Sequence, residues 1–279
     1  MNAIKLGVAQ TKKLLLEAIG NLTFCHEQAP DAPTADGYGA VLMDDGTEVY
    51  VDIISPRKSG LTPTQLVELF NKDQKRKSTT FSHPRIEGVD EALAGNMPLH
   101  AQDLLFTPEH FISSGIKMHP RHATYCLLAR KRGCVIGAVI FRIALTTEED
   151  MGSDRPRLKD LLALTLDVHL DLAYVCARHR SKGYGKALMA AVAQVFKTEL
   201  FNLSQQLAPV TEATGKQFSL EVCAQSDWAS RSGKLAHMCL MDELDMAIDD
   251  HNHFLVEDEK EAVRNAILIP EHCDYDACY

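Results

Sequence analysis

Apolar residues recur along this chain with two different periods, and the places where the period changes mark its elements. Residues 123–129 and 134–145 are two runs rich in apolar and β-branched side chains, joined by Arg-Lys-Arg-Gly. Such runs on either side of a glycine turn predict an antiparallel hairpin. A similar run at 168–176 predicts a strand, and the Ala/Leu/Met/Val-rich stretch from Lys186 to about Phe201 has the three-to-four spacing of a helix. The pattern repeats once more, with a strand predicted at 218–224 and a helix at 229–248. Upstream, residues 2–19 read as an amphipathic helix with Leu14, Leu15, Ala18 and Ile19 on one face. Two alternating runs, 38–43 and 48–54, flank Asp44-Asp-Gly46, a hairpin signal. Thr62 and Pro63 look like the cap and first turn of a helix, and a further helix is expected at 108–117. Polar stretches at 24–37, 74–88 and 147–160 read as a linker and two loops, with a short helix over 157–164. The chain closes with a hairpin formed by 254–256 and 266–269, or alternatively with a helix over 257–267.

The most telling boundary is the one after residue 175. There the strand Val-His-Leu-Asp-Leu-Ala-Tyr-Val gives way to Cys-Ala-Arg-His-Arg180-Ser181-Lys182-Gly183-Tyr184-Gly185-Lys186 and then to a helix. The first-turn amides of a helix have no internal partner and carry partial positive charge, so they attract anions. Two glycines allow close backbone approach and unusual φ values, and Arg178, Arg180, Lys182 and Lys186 add positive charge. This is a phosphate cradle. No Gly-x-x-x-x-Gly-Lys-Ser/Thr string occurs, and Leu188 stands where a dinucleotide fingerprint has its third glycine.

The same string resembles the acetyl-CoA motif of the GNAT N-acetyltransferase family: a strand ending in Val, a short turn, Arg/Gln-x-x-Gly-x-Gly/Ala, and a Leu/Met-rich helix. Ala177 departs from it, standing where the family often has Pro. The resemblance implies an α+β fold, an α/β/α sandwich with a mixed central sheet whose two central parallel strands splay apart. Those strands would be 168–176 and 218–224. Residues 38–279 would form the acetyltransferase domain, with the motif core at 107–250, and residues 1–37 a helical N-terminal extension and linker.

The resemblance also implies acetyl-CoA as cosubstrate and direct transfer of its acetyl group to a primary amine within a ternary complex. Arg180, Ser181, Lys182, Gly183, Tyr184, Gly185 and Lys186 would hold the pyrophosphate. Backbone amides at Val175 and Cys176 would hold the acetyl carbonyl. Counting back from Val175, Asp171 and then His169 are the first and second choices for the group that accepts the amine proton. Strand alternation puts His169, Asp171, Ala173 and Val175 on one face. Many relatives carry a Tyr as general acid after the second splayed strand; that register falls on Gly233. His237, Cys239 and Tyr184 are the candidates to replace it, unless the thiolate leaves without an acid. A non-catalytic CoA-binding sensor or interaction module is the alternative reading. The acceptor is an amine, on a small molecule or a protein, and dimers are common in the resembled family.

Composition narrows the setting. A net charge of −9 argues against general affinity for nucleic acid. No run is long and apolar enough to cross a membrane, and no secretory leader is evident, so a cytoplasmic protein is expected. Eight cysteines occur without any Cys-x-x-Cys pair. Cys126, Cys134, Cys176 and Cys223 fall in apolar runs and read as small buried hydrophobes, and the His and Cys of the C-terminal tail match no zinc spacing, so no metal is expected.

Overall fold

Seven strands join in one sheet in their order along the chain, and the direction of pairing changes once. The computed structural model describes residues 8–24, 40–42, 48–53, 73, 121–132, 134–147, 161–226, 231–255 and 263–269. Strands β1 (Ala40–Leu42), β2 (Glu48–Ile53), β3 (Arg121–Lys131), β4 (Cys134–Thr147) and β5 (Leu161–Val175) pair antiparallel with their neighbours. From β5 onward the pairing is parallel, to β6 (Gln217–Ser226) and then β7 (Val263–Ile269). Parallel neighbours require a crossover, and two helices supply it. Helix α2 (Tyr184–Thr214) joins β5 to β6, and α3 (Arg231–Leu255) lies between β6 and β7 in the chain. Helix α1 (Val8–Gly20) precedes the sheet and packs against α2.

The core lies between one face of the sheet and these helices. Alternate residues of β4 (Val139, Phe141, Ile143, Leu145), β5 (Leu164, Leu166, Val168, Leu170) and β6 (Phe218, Leu220, Val222, Ala224) meet α2 and α3 in one apolar cluster. Leu15, Leu22 and Phe24 belong to the same cluster, so the N-terminal helix packs on the core of the domain. The opposite face is buried too, at Leu128, Ala138, Ile140, Ala144, Tyr174 and Cys176. A sheet apolar on both faces explains why its strands read as continuous hydrophobic runs rather than a clean alternation.

Four expectations are corrected. The stretch 161–164 is strand, not part of a short helix, because it pairs with 217–220 of β6. Helix α2 runs through the polar-looking stretch after Phe201 as far as Thr214, since Leu203, Leu207 and Val210 keep its buried face going past Pro209. It stops at Gly215, whose left-handed φ of 66° lets its amide bond Thr211. The expected closing hairpin is absent: residues up to Leu255 are helical and β7 is parallel to β6. Asn252 fastens α3 to β7, accepting from the Ala266 amide at 3.1 Å and donating to its carbonyl at 2.8 Å. Cys134 is exposed rather than buried. The helices expected at 62–72 and 108–117 and the loops at 74–88 and 147–160 lie outside the described residues.

Candidate functional site

Strand β5 outruns its registered pairing with β6, and the β6-side edge of its last residues, called the gap below, has no registered strand partner among the described residues. Its parallel pairing with β6 runs from Leu161↔Gln217 to Leu170↔Ser226, and β5 then continues to Val175 beyond the last registered pair. At the same point its register with β4 slips: Leu170 pairs with Phe141 and Leu172 with Ile140, leaving Asp171 as the extra residue of a bulge. A bulge bends its strand and sharpens the local twist.

The bulge also redistributes the side chains. Before it, Leu166, Val168 and Leu170 face α2; after it, Val175 packs on that core while Tyr174 and Cys176 are buried on the other face. His169, opposite Arg142, therefore does not share the face of Val175, as simple alternation suggested. The Arg142 guanidinium lies 2.8 Å from His169 Nδ1. Arginine can only donate, so Nδ1 is the acceptor and Nε2 bears the ring proton. Arg142 thus occupies Nδ1 of His169. The side chain of Asp171 lies outside the described residues; its backbone sits at the bulge itself.

At the end of β5 the amides sort themselves. The Cys176 amide donates to the Ile136 carbonyl at 2.9 Å. It is not free to hold an acetyl carbonyl, which corrects the expectation for this residue. Antiparallel strands alternate hydrogen-bonded and non-bonded pairs, so Val175, opposite Gly137, turns its amide and carbonyl away from β4 and toward the gap. The Val175 carbonyl accepts from Arg180 Nε at 2.9 Å, and the Arg180 guanidinium lies 5.4 Å from the centre of the Tyr174 ring. Gly137 permits the close approach: a Cβ there would come within 2.8 Å of the Tyr174 carbonyl oxygen.

A 3-10 turn, Ala177–His179, leads to the glycine loop. Gly183 occupies the position before α2 with φ 81°, and Ser181 is also left-handed at φ 58°. No side chain caps α2, and its first turn carries no acid. The amides of Tyr184, Gly185 and Lys186 thus point out of the helix without an internal partner. A Cβ on Gly185 would meet nothing within 4 Å, so protein packing does not demand a glycine there. Ser181, Lys182 and Lys186 are exposed around this opening. The Tyr184 side chain faces the other way: its ring is buried and its hydroxyl accepts from Lys131 Nζ at 2.7 Å. Only its backbone can serve a ligand.

His179 stands edge-on to Tyr184. Burial first, then the charges of Arg178, Lys182 and Lys131, hold its imidazole below the usual range. The Cys176 thiol is pushed up by burial and by the Asp73 carboxylate, so it stays protonated. Asp73, Gly137 and Ser226 are the supporting residues that the pattern along the chain did not single out. A glycine within a strand signals close backbone approach, so Gly137 was findable; Asp73 carries no local signal.

On the β6 side of the gap, Ser226 Oγ lies 2.7 Å from Nδ1 of His237, which α3 brings back to the strand end. Burial holds His237 below the usual imidazole range. Gly233 has the expected helical position without the Tyr, and the Cys239 thiol is pushed up by burial and then by Glu243. Among the described residues no cluster of His, Cys, Asp or Glu has the makings of a metal site, and no helix is long and apolar enough to cross a membrane.

Residues 96–211 match the model of the acetyltransferase (GNAT) family. Among solved structures, the chain is similar to a ribosomal-protein-alanine N-acetyltransferase from Brucella melitensis biovar Abortus 2308. The identity is 18% over 68% of this chain and 88% of that one, with a TM-score of 0.26. It is also similar to an integron cassette protein from the mobile metagenome of V. cholerae, at 15% identity over 67% and 80% of the two chains and a TM-score of 0.24. No curated protein matches the sequence. The residues that match the family model hold the hairpin of β3 and β4, strand β5, the glycine loop and most of α2.

Proposed function

We propose that the protein transfers the acetyl group of acetyl-CoA to a primary amine by direct attack in a ternary complex. The observation that carries this reading is the start of α2: an uncapped helix N-terminus behind a left-handed Gly183, with open space at Gly185 where a side chain would otherwise fit. The pyrophosphate of CoA takes the amides of 184–186 and the charges of Lys182 and Lys186. The thioester then lies along the end of β5, where the Val175 amide meets its carbonyl oxygen. The amine nitrogen attacks the carbonyl carbon, the oxyanion is held by that amide, and the C–S bond breaks to release the CoA thiolate. Asp171, at the bulge beside the gap, accepts the amine proton. Arg142 occupies Nδ1 of His169, and the thiolate leaves without a tyrosine acid, since Gly233 stands at that position.

That missing tyrosine is also what favours the second reading, a CoA-binding module without turnover. Calorimetric titration with acetyl-CoA, desulfo-CoA and NADH tests what both readings share. Acetyl-CoA is expected to bind on the order of micromolar and NADH not at all. Gly185→Val is expected to leave the thermal midpoint in place and weaken acetyl-CoA at least roughly tenfold, because the new side chain fills the phosphate's space. Equal binding by the variant removes the cradle assignment. Thiol release with a panel of amines then separates enzyme from sensor.

A further inference from the structure

We propose that Asp73 is a positioning residue for the cosubstrate loop, holding from a distant part of the chain the turn through which β5 enters that loop. The inference rests on the reading of 180–186 as the pyrophosphate cradle and assigns a residue to its support. One carboxylate oxygen of Asp73, Oδ2, accepts two hydrogen bonds, from the Tyr174 hydroxyl and from the Ala177 amide, both at 2.8 Å. Ala177 is the first residue of the 3-10 turn, and its amide is one of those that a helical turn leaves without a partner. Without Asp73 that amide is half-buried and unsatisfied. Tyr174 in turn underlies the Arg180 guanidinium, whose Nε bonds the Val175 carbonyl. Asp73 therefore grips both ends of the segment 174–177, and Arg180, the first residue of the loop, rests on the gripped side chain.

The local backbone offers a way to isolate this role. Cys176, with φ −52° and ψ 137°, has the extended conformation that a residue before proline adopts. Ala177 opens a helical turn, the position where proline is most at home. A proline at 177 would preset the turn and abolish the amide that needs Asp73. Beside the native carboxylate, however, its ring would enter the space that Oδ2 fills.

Acetyl-CoA titration and hydrogen exchange of the segment 176–183, followed by mass spectrometry, test the proposal on the full chain. Asp73→Ala is expected to weaken acetyl-CoA roughly tenfold, the scale of one charged hydrogen bond, and to speed exchange of the segment. Ala177→Pro alone is expected to weaken binding as well, whereas Asp73→Ala with Ala177→Pro recovers most of the affinity and the protection. Charge alone predicts the opposite sign for Asp73→Ala, since removing a carboxylate near a phosphate site strengthens anion binding. Tighter or unchanged binding with unchanged exchange overturns the proposal, and so does a double variant no better than Asp73→Ala. If Asp73→Ala does not fold, Asp73→Asn keeps an acceptor for the Ala177 amide and is expected to show the same changes at two- to threefold. Should wild-type protein bind no acetyl-CoA, the cradle reading fails by itself. Exchange in the four proteins then decides alone whether Asp73 holds the turn.

Discussion

At the scale of single residues, the site is shaped by which hydrogen-bonding groups are already committed. Cys176 and Val175 are neighbours with identical backbones, yet only the Val175 amide faces the gap, because the Cys176 amide belongs to the ladder with Ile136. Tyr174 shows the same economy: burial and then its bond to Asp73 hold its phenol well above the ordinary range, so it stays protonated and serves as a strut. His237 makes a measurable prediction. Its unfolded value is 6.5 and burial lowers it in the folded state. Above that value both states hold a neutral ring and it contributes nothing to stability. As pH falls below it, the unfolded chain takes up a proton that the folded site resists, so stability declines from about pH 6.5 downward. Urea unfolding at about pH 7.5 and about pH 5.5 is expected to show a smaller acid loss for His237→Gln than for wild type. Equal losses would place the acid sensitivity elsewhere.

At the scale of elements, the bulge in β5 does most to make a site out of a strand. One extra residue, Asp171, shifts the register with β4 and moves Val175 onto the α2 face. Asp171→Asn is expected to lower turnover roughly 10²–10⁴-fold, the range for loss of a general base, while acetyl-CoA affinity by calorimetry stays within about twofold. Turnover that is unchanged in the variant would take Asp171 out of the mechanism. The hairpin of β3 and β4, the strand before the loop and the start of α2 were all legible in the sequence, since glycine turns and apolar runs are local signals. The bulge was not, because the string 168–176 keeps its apolar residues on both sides of it and only the partner strand reveals the slip.

At the scale of the whole molecule, residues 8–24 are tied into the common core. Phe24 is 2% exposed in the common core, and Asn202 and Gln206 of α2 donate to the Thr23 carbonyl at 2.9 and 2.7 Å. Beneath them, buried Glu199 of α2 accepts from the Tyr125 hydroxyl on β3. Phe24→Ala is expected to cost about 3–5 kcal/mol, read as a lower urea midpoint with an unchanged slope; a loss under about 1 kcal/mol would mean that the N-terminal segment only rests on the domain. The sequence by itself determined the strand–loop–helix unit, its glycines and cations, and so the open, cationic character of residues 180–186, because each depends on neighbours a few positions apart. Only the tertiary structure decided the parallel course of β7, the length of α2, which of two adjacent amides faces the gap, that His169 meets Arg142, and that Asp73 reaches Ala177. Those outcomes are set by partners a strand away or a hundred residues off, and no local pattern of polar and apolar positions encodes the register or the packing that brings them together.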